Sequence, residues 1–576
     1  MLDLRILNAV IVDGTGAPAY RGDVGIADGR IVAIGTVTDD AVETIDAKGM
    51  VLAPGFVDIH THYDGQATWD SLLDPSASHG VTTIVLGNCG VGFAPVRPGK
   101  EEWLVELMEG VEDIPGTALH EGIQWSWETF PQYLDALAAR EFSMDVAAFL
   151  PHAPLRVYVM GERGALEVEP TEQELAEMVQ CVKDAIAAGA IGVSTSRSLN
   201  HTTLDGTLVP GTFASQTELV ALAQAMMDAG GGLFEAVPSG ETGDNPDLVL
   251  GEIALLAEVS RRTNAPVSFL MVQSMGAPDL WAEQLEAVRR ENAAGANLIP
   301  QIAARPGGML IGVATYHGLM RRPTYRRLEN ELSYEELLRE LQKPEVKAAI
   351  LSEENLPADP QRQYEMIAES TEFMFDRLFV LGDPPDYEPT HDRSVAGLAE
   401  ANGVSPWEAL YDAIATGDLL LGAFTNYAQM SQDHLQKMLE HPDTVLGLSD
   451  GGAHVRFICD ASAPTYLLTH WTRDRVRGGK FTIEEMVRKQ SALTAQAVGL
   501  VDRGTIEIGK RADLNLIDVE NLRLSPPRPV EDLPAGGRRI LQDASGYVAT
   551  IVNGKITRRS DTDTGERPGR LVRAHH

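Results

Sequence analysis

Polar and apolar residues alternate at both ends of the chain, and the middle switches repeatedly between strand-like and helix-like runs. Residues 4–12 read Leu-Arg-Ile-Leu-Asn-Ala-Val-Ile-Val, a strand by its β-branched content, and Asp13-Gly14-Thr15-Gly16 is a turn. Asp28-Gly29 between two short apolar runs is a hairpin signal, so the first ~50 residues read as a small all-β unit. At the far end, 512–517 alternates like a strand and Asn553-Gly554 closes another hairpin. Neither end has enough strands to bury a core alone, so the two ends are expected to pair into one β-sandwich.

Between them, candidate strands fall at 57–62, 81–87, 146–151, 189–195, 231–236, 266–271, 297–302 and 445–450. Helical spacing follows many of them, and Thr171-Glu-Gln-Glu opens one helix with a capping-box pattern. Alternating strands and helices imply parallel strands with crossover helices. Eight of them predict an α/β fold, a (β/α)8 TIM barrel with its site at the strand C-terminal ends. The expected division is 1–54 and 501–576 for the two halves of the sandwich and 55–500 for the barrel. An insertion at about 303–444 carries helices at 333–342, 360–378 and 395–416 and is read as a lid or substrate wall. The polar tail from Arg558 is expected to fray.

One segment adds candidate metal chemistry to this fold. Gly55-Phe-Val-Asp-Ile-His60-Thr61-His62 places two histidines two apart at the end of the first candidate strand. Residues i and i+2 of a strand share a face, so both imidazoles are available to one divalent ion. The alternative is one histidine capping a turn and the other at the surface. Composition narrows the partners. With 83 acidic against 47 basic residues, net charge −36, the chain lacks the basic surface that nucleic acid requires. Cys89, Cys181 and Cys459 show no CxxC spacing, which fits a reducing cytoplasm. No signal-peptide pattern and no run of 18 apolar residues is seen, so no membrane role is expected.

Three segments together resemble the amidohydrolase superfamily, and within it the D-aminoacylase (N-acyl-D-amino-acid deacylase) group. They are Ala53 to Asp64, followed by Trp69-Asp70; His79 to Thr83 running to Gly87-Asn88-Cys89-Gly90-Val91-Gly92; and Gly447-Leu448-Ser449-Asp450-Gly451. Gly504 to Leu514 looks like the superfamily's return to its β-domain. The resemblance implies a zinc-holding barrel with His60 and His62 as ligands and Asp450 as ligand and general base. It also implies Cys89 as a metal-binding thiolate, a donor whose softness suits zinc. The alternative for Cys89 is a small buried residue in a Gly-rich turn.

The chain departs from the group on strands five and six. The expected histidine positions fall at Val237 and Met271, neither a useful zinc ligand. A single divalent ion, zinc, is therefore expected per chain, with an open position for water. Glu235 lies two residues before Val237 on the same strand face. It is either a replacement ligand or an acid paired with Arg197 or Arg305. His152, Arg197, Gln301, Arg305 and His454 sit at or after strand ends and are candidates for substrate binding, with structural roles the alternative for each. An arginine there would clamp a substrate carboxylate.

The implied activity is hydrolysis of a non-peptide amide in a small molecule, an N-acyl amino acid or a more hydrophobic amide. Asp450 would accept the water proton and return it to the leaving nitrogen. Alternatives are a cyclic amide hydrolase, or a non-catalytic binding protein on a retired amidohydrolase fold. A homo-oligomer is also compatible with the sequence.

Overall fold

The computed structural model describes residues 1–166, 168–359, 365 and 371–574. Both chain ends enter one nine-stranded sheet. In Leu2–Ile11, Leu2, Leu4 and Ile6 face inward, and a register shift after Ile6 turns Ala9 and Ile11 inward as well. Asn8 takes the left-handed conformation (φ 57°) at this bulge. Val51–Pro54 is the seam. It pairs in parallel with Leu2–Ile11 and antiparallel with Leu514–Ile517. One apolar core is filled from both termini, by Leu4, Ile6 and Ile26 from one and Leu514, Leu516 and Ile551 from the other.

The barrel follows the predicted order. Its strands are Phe56–Asp58, Val81–Leu86, a third in two pieces (Asp145–Ala148 and Leu150–Pro151), Gly192–Ser196, Leu233–Val237, Val267–Leu270, Leu298–Ile302 and Val445–Leu446. Neighbours pair in parallel throughout. A parallel bridge from Thr61 to Gly451 closes the circle. Most strand residues are buried, as expected where both faces are covered; strand two, Val81–Leu86, and strand five, Leu233–Val237, are buried throughout. The expected capping box is present: Thr171 and Glu174 bond each other's backbone N–H at the start of Glu172–Ala187. No described helix is long and apolar enough to cross a membrane.

The excursion after strand seven has its own apolar core. Gly307–Ile311, Leu420–Thr425 and Leu378–Val380 form a three-stranded sheet. Tyr334–Leu341, Val395–Asn402 and Pro406–Ile414 are helices near the expected spans. The helix expected over 360–378 lies largely outside the described residues; its described end is a short 3-10 turn, Thr371–Phe373, and Leu378 opens a strand.

The tail does not fray. Phe142 and Gly569 bond each other's backbone, and Val572 N–H donates to Val146 O, so residues 569–572 run beside barrel strand three. Arg567, Arg570 and Arg573 pair with Asp563, Glu141 and Asp135. A polar sequence hides this role because the backbone supplies the pairing.

Another fixed element is the loop after strand five. Buried Glu241 accepts from Val272 N–H and from the Gln284 amide, tying that loop to strand six. Burial pushes its carboxyl up to about 8. The folded protein therefore holds a proton there that the unfolded chain releases above pH 4.5. Stability from this group is complete at low pH and falls as pH rises toward 8. Glu241→Gln removes that slope: its melting temperature should match the parent at pH 5 and exceed it at pH 8, and parallel curves would contradict this. Ending the chain at Glu566 should lower the melting temperature by a few degrees, and an unchanged melt would show the tail is not structural.

Candidate metal centre

Two features aim the histidines. Beyond Asp58 the first strand continues as extended chain, with Thr61 N–H donating to Val85 O (3.2 Å) and His62 N–H to Gly451 O (2.8 Å). Buried Asp58 accepts from His60 N–H at 3.3 Å and from the Ser449 hydroxyl. The strand carrying the histidines and the loop carrying Asp450 are thereby locked together.

Four donor groups then converge. His60 Nε2 lies 3.2 Å from Cys89 Sγ and 3.4 Å from Asp450 Oδ1. His62 Nε2 lies 3.9 Å and 3.8 Å from the same two atoms. The ligand atoms of His60, His62 and Cys89 all lie within 4.8 Å of one another. Cys89 sits in Asn88–Gly90 with φ 56°, and Asp450 has φ 47°. Two non-glycine residues held in the left-handed region, both aimed at one point, mark a site that the surrounding structure enforces. Gly90 makes this turn possible: a Cβ there would meet Thr195 and Ser196 backbone at 2.7 Å.

Glu235 joins them from strand five. Its Oε2 accepts from Cys89 N–H at 3.0 Å, and its buried Oε1 has no hydrogen-bond partner among the described residues. It pairs with neither Arg197 nor Arg305. Glu112, at the end of helix Glu101–Glu112, places Oε1 3.3 Å from His62 Nδ1. The sequence reading missed Glu112. Its signal is a glutamate in a buried stripe otherwise made of Leu104, Met108 and Val111 at helical spacing.

The electrostatics of this cluster call for a cation. Burial raises the carboxyls of Asp450 and Asp64 to about 7 and that of Glu235 to about 8. Burial, with Asp450, Asp64 and Glu235 as neighbours, also pushes Glu112 up, and the Cys89 thiol is raised for similar reasons. Burial pulls His60 down to about 4, keeping it neutral. Asp450 leaves 26% of its side chain open, yet burial of its carboxyl dominates. Neutral imidazoles, a thiol, a carboxyl and an orphaned carboxylate oxygen are a donor set that fits zinc.

The other expected residues divide. Gln301 lies against the metal ligands rather than substrate: its Oε1 accepts from His60 Nδ1–H at 2.9 Å. His454, also left-handed, stands 3.7 Å from Glu112 Oε2 at the rim. Arg197 is not a free clamp. Its fork is bidentate to Glu252 (2.6 and 3.0 Å), and its third nitrogen donates to Ala214 O. Arg305 is buried over the Tyr387 ring and donates to Asp460 and Cys459 O. His152 is fully buried, with its two ring nitrogens taken by Thr195 and Glu218 (2.9 Å each). These three corrections share one cause: each partner comes from a distant element, invisible to local reading.

A model of the amidohydrolase family matches residues 43–558. The D-aminoacylase of Alcaligenes xylosoxydans xylosoxydans is 26% identical over 99% of this chain and 97% of its own. The structure of N-acyl-D-glutamate deacylase from Bordetella bronchiseptica, complexed with zinc and a phosphonate inhibitor, superposes with a TM-score of 0.65 at 24% identity, covering both chains completely. A D-aminoacylase structure, described for its binuclear metal centre with one-metal activation and second-metal attenuation, gives 0.65 at 22% identity, again over both chains completely.

The structural assignment of Arg197 is testable. Arg197→Ala strands Glu252 in the interior and should cost roughly 3–5 kcal/mol, seen as a large fall in melting temperature. Replacing Arg197 and Glu252 together by methionine should recover most of it. A single variant that melts like the parent but binds substrate poorly would restore the clamp.

Proposed function

The chain belongs to the amidohydrolase family, and we propose that within it the protein hydrolyses N-acyl-D-amino acids with a large apolar group, using one zinc ion. It is a metal-dependent hydrolase of carbon–nitrogen bonds other than peptide bonds. The reading rests on the convergence of His60 Nε2, His62 Nε2, Cys89 Sγ and Asp450 Oδ1 at the C-terminal ends of barrel strands. That is the end where barrels of this kind carry their chemistry.

His60, His62 and Cys89 would hold the ion, with Glu235 Oε1 as a further donor. Zinc bound there supplies a Lewis acid that polarises a carbonyl and makes bound water acidic near neutral pH. Asp450 has the position of a proton shuttle. With Oδ1 3.4 Å from His60 Nε2, its carboxyl would take a proton from attacking water and give it to the leaving nitrogen. Val237 and Met271, at the ends of strands five and six, are both fully buried and offer no zinc donor.

Support for a single ion comes from the ligand atoms. Among the described residues, His60, His62 and Cys89 form the one group of donors that close together. The positions where a second set of histidines is expected hold Val237 and Met271, both fully buried. The D-aminoacylase described for one-metal activation makes such a centre chemically reasonable. The same two apolar side chains favour a bulky, apolar substrate. The activities of the relatives support the D-configuration and the acyl-amino-acid class.

Zinc-loaded protein assayed on N-acyl-D- and N-acyl-L-amino acids of graded side-chain size, and on cyclic amides, tests the reading. D-leucine, D-methionine and D-phenylalanine derivatives should exceed D-aspartate and D-glutamate derivatives by roughly 10-fold or more in kcat/KM. Asp450→Asn should lose about 10²–10⁴ in kcat. Turnover confined to small polar or cyclic substrates would overturn the substrate class, and full activity in Asp450→Asn would overturn the shuttle.

A further inference from the structure

We propose that Glu112 is a positioning residue for the metal site, holding the His62 ring so that Nε2 faces the ion. This rests on the metal-hydrolase reading above. A neutral imidazole carries one N–H, and that hydrogen sits on Nδ1 or on Nε2. If it sits on Nε2, the ring presents a donor to the metal position and cannot ligate. An acceptor beside Nδ1 decides the matter, as in histidine ligands generally.

The two histidines are treated differently. His60 Nδ1 faces the neutral Gln301 amide at 2.9 Å. His62 Nδ1 is buried and has no aligned hydrogen-bond partner among the described residues. Its neighbour is Glu112 Oε1 at 3.3 Å, a distance that a small ring rotation converts into a bond. Glu112 is itself 2% exposed, so its carboxyl is not spent on solvent. Its second oxygen lies 3.7 Å from His454 Nε2.

The carboxyl is also held in place. Glu112 ends its helix, and Asp113 turns the chain away with φ 49°. Arg456, from the loop after strand eight, donates to Asp113 from Nε at 2.7 Å. His454 N–H donates to the Glu112 carbonyl. Two bonds thus clamp the helix end to the loop that carries Asp450. Helix Glu101–Glu112 and His62 are linked through one side chain.

Metal binding without substrate tests this. Metal-free protein is titrated with zinc against a chromophoric chelator, and with Co²⁺ read by its thiolate and d–d absorption. Melting of the metal-free proteins is followed in parallel. Glu112→Met fills the space but offers no acceptor; it should weaken zinc about 10–100-fold and shift the Co²⁺ spectrum. Glu112→Gln keeps an oxygen toward Nδ1 and should restore most of the affinity and the parental spectrum. If Glu112→Met does not fold, Glu112→Ala is read the same way. Zinc affinity within about twofold of the parent in the Met or Ala variant, with an unchanged Co²⁺ spectrum, overturns the role of Glu112 while leaving the hydrolase reading intact. A loss that Glu112→Gln does not restore also overturns it. A parent that binds neither ion overturns both.

Discussion

Everything at the site depends on how the barrel closes. Strand one and strand eight are the two ends of the circle, and each brings half of the chemistry. Their join consists of His62 N–H on Gly451 O and the Ser449 hydroxyl on Asp58. These contacts set the distance between the two imidazoles and Asp450 before any ion arrives. A barrel that closed one residue out of register would turn His60 and His62 out of the site, since side chains alternate sides along a strand. The left-handed Asp450 is tolerable for the same reason: the closure holds the backbone on both sides of it.

The centre is also an accumulation of unspent charge. Asp64, Glu235 and Asp450 lie close enough to Glu112 to raise its proton affinity, and the histidine beside them, His60, is neutral. The arginines closest in sequence to the strand ends are already committed elsewhere, Arg197 to Glu252 and Arg305 to Asp460. This division keeps positive side chains from neutralising the acids and leaves that task to a metal ion. It also makes the empty centre costly to fold, so that ion binding and stability are linked.

Much of this was legible in the chain. The strand–helix alternation carries the barrel, because buried parallel strands and amphipathic helices have distinct periods. His60 and His62 were readable from their i, i+2 spacing on a strand, whereas Cys89 and Asp450 were readable only through the family resemblance of the segments that carry them. What escaped was whatever depended on a partner far away. His152, Arg197 and Arg305 are ordinary candidates until Glu218, Glu252 and Asp460 are placed beside them. Gln301 points along the barrel to a residue 241 positions earlier. The tail looked unstructured because side-chain polarity says nothing about backbone pairing at an open strand edge. Glu112 went unread, because an acid on an apolar helical stripe has no chemistry until the fold gives it a neighbour.

The seam in the terminal sheet has a consequence for how the chain is made. Val51–Pro54 cannot be covered on its second side until Leu514–Ile517 exists. At about 5–20 residues per second of synthesis, roughly half a minute or more separates the two. During that time the first strands offer an unpaired edge and apolar side chains with no core to enter. The barrel, whose strands pair with sequence neighbours, is free to assemble meanwhile. Biogenesis therefore favours building the catalytic unit first and stitching the terminal sheet last, with molecular chaperones the natural guardians of the waiting edge.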